Sequence, residues 1–279
     1  KVVKMGRAAP LPIRPLPEPI NWAHILGPDM VLTALGVGLG ETFMWPRLVI
    51  VFGSQVQWLL LLGVTIQLFV MLEMARWAMA TGESIFYGAY RIHPAVMWFF
   101  WGVATLVYIW PGHVSLGAQA LSTITGIDWV PLAIGGILLI GLVLTVAPVV
   151  YNALEAIITV LISVLVIGAA IVASMVGSPA QLWNTITGLV SFGYVTPLML
   201  SPEWLPVIVG SIAFAGPSGM QQMWYTLYLR DKGAGMGKYC GRITSWLTGE
   251  EEAMPERGHT FDTSDPQEMN KWAGWRKWN

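Results

Sequence analysis

The stretch GPDMVLTALGVGLGETFMWPR, residues 27–47, decides how this chain folds. It is apolar enough to enter a bilayer, yet its middle, residues 36–41, reads GVGLGE. A glycine costs about 1 kcal/mol in a helix interior, and a carboxylate at membrane depth costs about 2.5–3.5 kcal/mol. Both costs are avoided if the helix breaks there and its backbone lines a cavity in the protein. Because broken membrane helices form the substrate sites of many secondary transporters, the stretch favours transport.

The composition indicates a membrane protein. The chain is 55% hydrophobic and 11% charged, whereas soluble domains carry about 25% charged residues. The single cysteine, Cys240, excludes a disulfide framework and a cysteine-rich metal site. The net charge of −1 gives no reason to expect a nucleic-acid partner. The apolar segments carry no Ser-His-Asp set and no HExxH motif, so we expect neither an enzyme nor a cofactor.

Hydropathy predicts six membrane segments, each near the roughly 20 residues that cross a bilayer. They are residues 27–46, 56–76, 95–121, 129–148, 154–176 and 203–229. The first and the sixth segments are interrupted in the middle. The sixth contains AGPSG, residues 215–219, where Pro217 removes a backbone donor and the two glycines loosen the helix.

The distribution of charge predicts the orientation. With the N-terminus in the cytoplasm and the loops alternating, every Lys and Arg except Arg47 faces the cytoplasm, in accord with the positive-inside rule. We therefore expect a protein of the plasma or inner membrane in three parts. Residues 1–21 would be a basic, Pro-rich cytosolic tail, residues 22–232 a six-helix transmembrane region, and residues 233–279 a cytosolic loop with an amphipathic, Trp-rich helix lying on the membrane surface.

Short motifs near the interrupted segments resemble those of the Nramp family of divalent-metal transporters. The Gly-Pro pair at 27–28 matches the GPG opening of that family's first helix, and ARWAMATG at 75–82 matches the end of its second. The resemblance covers residues 21–232. It implies an all-α, LeuT-type inverted-repeat fold with broken first and sixth helices. This chain would supply the first repeat and the first helix of the second, and further helices or a second chain would complete the fold.

The resemblance also implies a cation site at the two breaks. Where the family has DPGN and MPHN, this sequence has GLGE at 38–41 and SGMQ at 218–221. The family's aspartate, methionine and histidine are thus replaced, and the remaining ligands are oxygen atoms, which suit hard ions such as Mg²⁺ or Ca²⁺. The expected metal ligands are the side chains of Glu41, Ser218 and Gln221. The expected substrate site comprises Gly38, Gly40, Glu41, Ala215, Ser218 and Gln221.

Proton coupling would run through Glu41, with Glu73 and His113 as further candidates on the path. Each has a structural alternative. Glu41 could pair with Arg47 or stabilise the N-terminus of a half-helix. Glu73 could form a helix-surface ion pair with Arg76, and His113 could be a core histidine whose hydrogen bonds are satisfied. The second break could likewise be a packing kink, with the glutamines after it bonding across helices.

The sequence therefore favours an alternating-access secondary transporter that moves a small divalent cation across the lipid bilayer. The alternative is a non-transporting membrane subunit of a larger complex, which keeps the fold and has lost the metal ligands. A third interpretation is a redox subunit that holds haem on His24 and His113.

Overall fold

The chain is mostly helical in the part that the structure, a computed structural model, describes. The described residues are 2–20, 26–38, 40–109, 111–217, 219–245, 247–250, 252, 255 and 257–277. The α-helices are α1 (Leu26–Gly36), α2 (Trp45–Phe52), α3 (Trp58–Thr81), α4 (Ile85–Ile92), α5 (Pro94–Ile109), α6 (Gly112–Thr125), α7 (Trp129–Val146), α8 (Val150–Val176), α9 (Pro179–Leu189), α10 (Leu205–Ala213), α11 (Met220–Asp231) and α12 (Pro266–Arg276). Two short strands, β1 (Val2–Val3) and β2 (Leu11–Pro12), pair antiparallel. The predicted all-α class is confirmed.

Four helical stretches of the described chain are long and apolar enough to cross a membrane. They are Ser54–Thr81, Pro94–Thr125, Trp129–Val146 and Val150–Val176. A fifth span results if Asp29–Gly36 and Glu41–Phe52, which meet at an angle of 48°, are counted together. These stretches correspond to the first five predicted segments and indicate an integral membrane protein. The compartment and the orientation stay predictions.

The sixth predicted segment, residues 203–229, forms two short helices. α10 has nine residues and α11 has twelve. Within the described part of the chain, this pair is not among the candidate spans. The predicted interruption lies between the two helices, and Ser218, which is part of it, is outside the described residues.

Apolar side chains cover the outside of the long helices. None of the described residues of α7 is buried, and Leu138 on this helix is 68% exposed. Val160 and Leu161 on α8 are exposed to a similar degree. An apolar surface of this extent is expected where lipid, rather than water, is the solvent.

The chain divides into two compact units. The first consists of Lys1–Pro19, Trp77–Ala156 and Leu227–Lys277. The second consists of Ile20–Arg76 and Ile157–Thr226.

In the first unit, the N-terminal tail packs against α12. Leu11 and Leu16 are fully buried, and so is Trp275 of α12. The Trp275 indole donates a hydrogen bond to the carbonyl of Pro17 at 2.8 Å, and the buried carboxylate of Glu268 accepts the N–H of Leu16. Trp275, near the end of α12, is thus buried in the protein, and the expectation that this helix lies on the membrane surface stays a prediction.

A buried ion pair ties three segments of the first unit together. The side chains of Glu83 and Arg91 are each 3% exposed, and their charged groups lie 2.6 Å apart. Arg91 also donates to the carbonyls of Met5 and Ala9 at 3.0 Å. The N–H of Gly258 donates to Glu83 at 3.1 Å. The pair thus joins the turn before α4 to the N-terminal tail and to the segment before α12.

The second unit has an apolar core around α2 and α10. Its buried residues include Leu48, Phe52 and Ile208. Phe52 makes an edge-to-face contact with Trp204, with ring centroids 5.1 Å apart. The guanidinium of Arg47 lies over the other ring of this pair, 4.8 Å from the Trp204 centroid. Arg47 therefore stacks on an aromatic ring, which is a different partner from the predicted Glu41.

Candidate functional site

The first break separates α1 from a π-helical turn. α1 ends at Gly36, and the turn Gly40–Met44 leads into α2. A Cβ atom at Gly36 would lie 2.8 Å from Cδ of Pro217, closer than atoms pack. Glycine at this position therefore allows the first break to lie against the second.

Glu41 connects the two breaks through its carboxylate. Oε2 accepts the N–H of Gly38 at 3.0 Å, within the first break. Oε1 accepts the N–H of Gly216 at 2.6 Å, within the second. Gly216 has φ +86°, a left-handed conformation that favours glycine. A single side chain thus accepts two backbone N–H groups that belong to no helix, of which that of Gly38 also donates to the carbonyl of Gly36 at 3.0 Å.

Two glutamine side chains bond to the backbone at the second break. Gln67 of α3 donates to the carbonyl of Ala213, the last residue of α10, at 2.9 Å. Gln222 of α11 donates to the carbonyl of Pro217 at 2.8 Å and to Oε1 of Gln67 at 3.2 Å. Side-chain amides therefore replace the hydrogen bonds that the interrupted helix lacks.

A second carboxylate in the same unit was missed by the sequence analysis. Asp29 of α1 accepts a hydrogen bond from the hydroxyl of Tyr225 of α11 at 2.6 Å. Asp29 lies in the same apolar stretch as Glu41, so the argument that singled out Glu41 applies to it as well. Its partner could not be found from the sequence because the two residues are 196 positions apart.

The structure brings together part of the predicted substrate site. Gly38, Glu41 and Ala215 meet at the paired breaks, with Ala215 fully buried beside Gly216. Gly40 begins the π-helical turn. The remaining two predicted residues are Gln221, which is half-buried in the first turn of α11, and Ser218, whose position is not described. In the described ranges, no group of three or more His, Cys, Asp or Glu could hold a metal ion.

The other predicted proton-path residues are exposed. Glu73 forms an ion pair with Arg76, and its side chain is 70% exposed, which confirms the structural alternative for this residue. His113 lies in the first turn of α6 and is exposed, whereas its structural alternative places it in the core. His24, the other proposed haem ligand, is outside the described residues.

Comparison of the chain with protein-family models, with curated proteins and with solved structures finds no match. The resemblance to the Nramp family and the LeuT-type arrangement of helices therefore stay predictions.

Proposed function

We propose that the protein is a secondary transporter that moves a small cation by alternating access, in the manner of the Nramp family. The observation that carries the proposal is the Glu41 carboxylate, which bonds to backbone N–H groups of both helix breaks. Transporters of this kind place their substrate where two interrupted helices meet, because unpaired backbone groups and half-helix ends are available there.

The chemistry of the paired breaks favours a hard cation. A carboxylate offers about four lone-pair positions, and the bonds from Gly38 and Gly216 use two of those on Glu41. The remaining positions can bind a cation together with backbone carbonyls of the breaks and the amide oxygen of Gln221. Since all of these donors are oxygen atoms, Mg²⁺ or Ca²⁺ would be preferred to softer metals.

The bond between Glu41 and Gly216 supplies a way to couple binding to movement. A cation that draws Oε1 toward itself weakens this bond, so the loaded and empty states differ in how firmly α10 and the first break are held together. A ligand shifts a conformational equilibrium only by binding its states unequally. The Glu41–Gly216 bond provides such a difference.

Asp29 is a candidate for the proton-coupling group in this proposal. Its hydrogen bond with Tyr225 joins the two broken elements at a second point. A proton-accepting carboxylate separate from Glu41 would allow proton and cation to be bound at different positions. Asp29→Asn should then retain cation binding while its uptake no longer responds to a pH gradient, which a fluorescent uptake assay at several gradients would measure.

Cation uptake into proteoliposomes tests the main proposal. Uptake of Mg²⁺, Ca²⁺ and Mn²⁺ would be compared for wild type, Glu41→Gln and Glu203→Gln. Glu203 lies on the exposed turn before α10 and provides a matched control for the loss of a carboxylate. We expect Glu41→Gln to abolish uptake and Glu203→Gln to retain it. Uptake by Glu41→Gln at the wild-type rate would refute the proposal.

One observation favours the alternative of a non-transporting subunit. Glu41, Gln67 and Gln222 together satisfy backbone groups of the breaks within the protein itself. A break closed in this way could be purely structural. Wild-type protein that transports none of the three cations and copurifies stoichiometrically with another membrane protein would support this alternative.

A further inference from the structure

A cavity of about 370 Å³ lies in the first unit, where α11 ends and α8 begins. We call it the basic pocket. Its charged lining residues are Arg230, Lys232, Lys238, Arg242, Asp231 and Glu252. Among these described residues, four cations face two carboxylates. The remaining lining includes three glycines and Asn152 of α8.

Three of the four cations, Lys232, Arg230 and Arg242, form ion pairs with carboxylates. Lys232 holds both oxygens of Glu155, at 2.7 and 2.8 Å. Arg230 meets its sequence neighbour Asp231 at 3.1 Å, and burial raises the pKa of this aspartate from its ordinary value. Lys238 is exposed and forms no ion pair with any residue in the described part of the chain. The pocket therefore keeps an excess of positive charge.

Glu252 shows what kind of ligand the pocket can hold. Its Oε2 accepts the backbone N–H of Arg242 at 2.8 Å, and its Oε1 accepts Nε of the same arginine at 2.8 Å. A backbone N–H and a guanidinium converge here on one oxyanion. This is also the donor set that binds phosphate oxygens, since the planar guanidinium matches both groups.

The pocket lies at the end of a candidate membrane span. The candidate span of α8 begins at Val150, and both Asn152 and Glu155 belong to the first two turns of this helix. Lipid headgroups are found at this depth, and basic pockets at the ends of membrane helices bind anionic headgroups. The location therefore favours a phosphate group that arrives on a lipid.

We propose that the basic pocket binds a phosphate group, carried by an anionic lipid headgroup, and that Glu252 competes with it for Arg242. The phosphate takes the position of the Glu252 carboxylate on the backbone N–H and guanidinium of Arg242, while Lys238 provides the second charge. This proposal does not depend on cation transport, because none of its residues lies at the helix breaks.

Lipid binding to the purified full chain tests the proposal. Native mass spectrometry in detergent would titrate phosphatidylglycerol and phosphatidylcholine against wild type, Arg242→Gln, Lys238→Gln, Glu252→Gln and Lys277→Gln. Lys277 is an exposed lysine outside the pocket, so its substitution controls for a change in net charge. In a second arm, calorimetry with inorganic phosphate in the absence of lipid would detect a site for free phosphate.

The expected result is a preference for phosphatidylglycerol that weakens about fivefold with the loss of each pocket cation. Glu252→Gln should strengthen binding severalfold, and Lys277→Gln should leave it unchanged. Binding of inorganic phosphate with the same dependence on the variants, without a lipid preference, would overturn the lipid as the source. If Lys277→Gln weakened lipid binding as much as Arg242→Gln and Lys238→Gln, the site itself would be overturned. The absence of binding by either lipid or inorganic phosphate would overturn it as well.

Discussion

Glu83→Gln should lower the free energy needed to open the segment before α12, and the contacts of Glu83 indicate by how much. The substitution keeps the shape of the side chain and removes its charge, which leaves the guanidinium of Arg91 buried without a counter-ion. Breaking a buried pair in this way costs about 3–5 kcal/mol. We expect the lower end, about 3 kcal/mol, because Arg91 keeps its bonds to the carbonyls of Met5 and Ala9.

Amide hydrogen exchange measures this loss of local stability directly in the segment around Gly258. The N–H of Gly258 bonds to Glu83 itself, and the next two amides bond to the carbonyls of Thr81 and Pro12. A loss of about 3 kcal/mol raises the open population about 100-fold. Exchange of the peptide that contains residues 258–260 should therefore accelerate by roughly that factor, as measured by mass spectrometry on the detergent-purified protein.

Two further variants make the result decisive. Glu73→Gln breaks an ion pair whose carboxylate is 70% exposed, and a pair of this kind contributes only about 0–1 kcal/mol. Glu83→Gln combined with Arg91→Met removes both charges and should recover part of the loss. The reasoning would be refuted if Glu83→Gln changed exchange no more than Glu73→Gln, or if the double variant exchanged faster than Glu83→Gln alone.

Three more changes are expected to lower stability for different reasons. Gly36→Ala places a Cβ atom 2.8 Å from Cδ of Pro217 and should cost about 1–3 kcal/mol through overpacking. Trp275→Ala empties a fully buried position and should cost about 3–5 kcal/mol, freeing α12 for proteolysis. Burial, together with nearby arginines, lowers the pKa of His259. The unfolded chain therefore takes up the proton first, and stability should fall as the pH drops below about 6.5.

Matched variants check each of these expectations by thermal unfolding and limited proteolysis. Gly117→Ala, where no atom lies within 4 Å of the added Cβ, should leave the melting temperature unchanged or raise it. Trp183→Ala removes a tryptophan that is 65% exposed and should have little effect on cleavage near α12. His259→Gln should flatten the decline of stability between neutral and mildly acidic pH. Equal effects in test and control variants would contradict the packing arguments.

The helices were predictable because their hydropathy is a local property of the sequence. The predicted segments at 129–148 and 154–176 correspond closely to α7 and α8. The break near Gly38 was likewise visible, since glycines and a carboxylate interrupt an apolar run. The predicted sixth span was less successful, because the segment around the second break consists of two helices too short to be a candidate span.

The contacts of the site could not be predicted because they join residues far apart in the chain. Glu41 and Gly216 are separated by 175 positions, and the bond between them depends on a backbone N–H that any residue except proline would supply. The tail presents a similar case. Leu16 looked like part of a solvated, Pro-rich segment, and only its partner Glu268, 252 positions away, shows why it is buried. Sequence patterns report periodicity and composition, whereas pairings such as these are decided by the folded chain.

The Glu41–Gly216 bond has a consequence for mutational scanning. Its donor is the backbone of a glycine with φ +86°, so every side chain introduced there would be disfavoured by the backbone conformation alone. A mutational scan would show that substitutions of Gly216 are not tolerated, but it would not show that the hydrogen bond from its N–H to Glu41 matters. Replacing the amide by an ester in a semisynthetic protein would remove that hydrogen and leave the glycine conformation intact, which separates the two contributions.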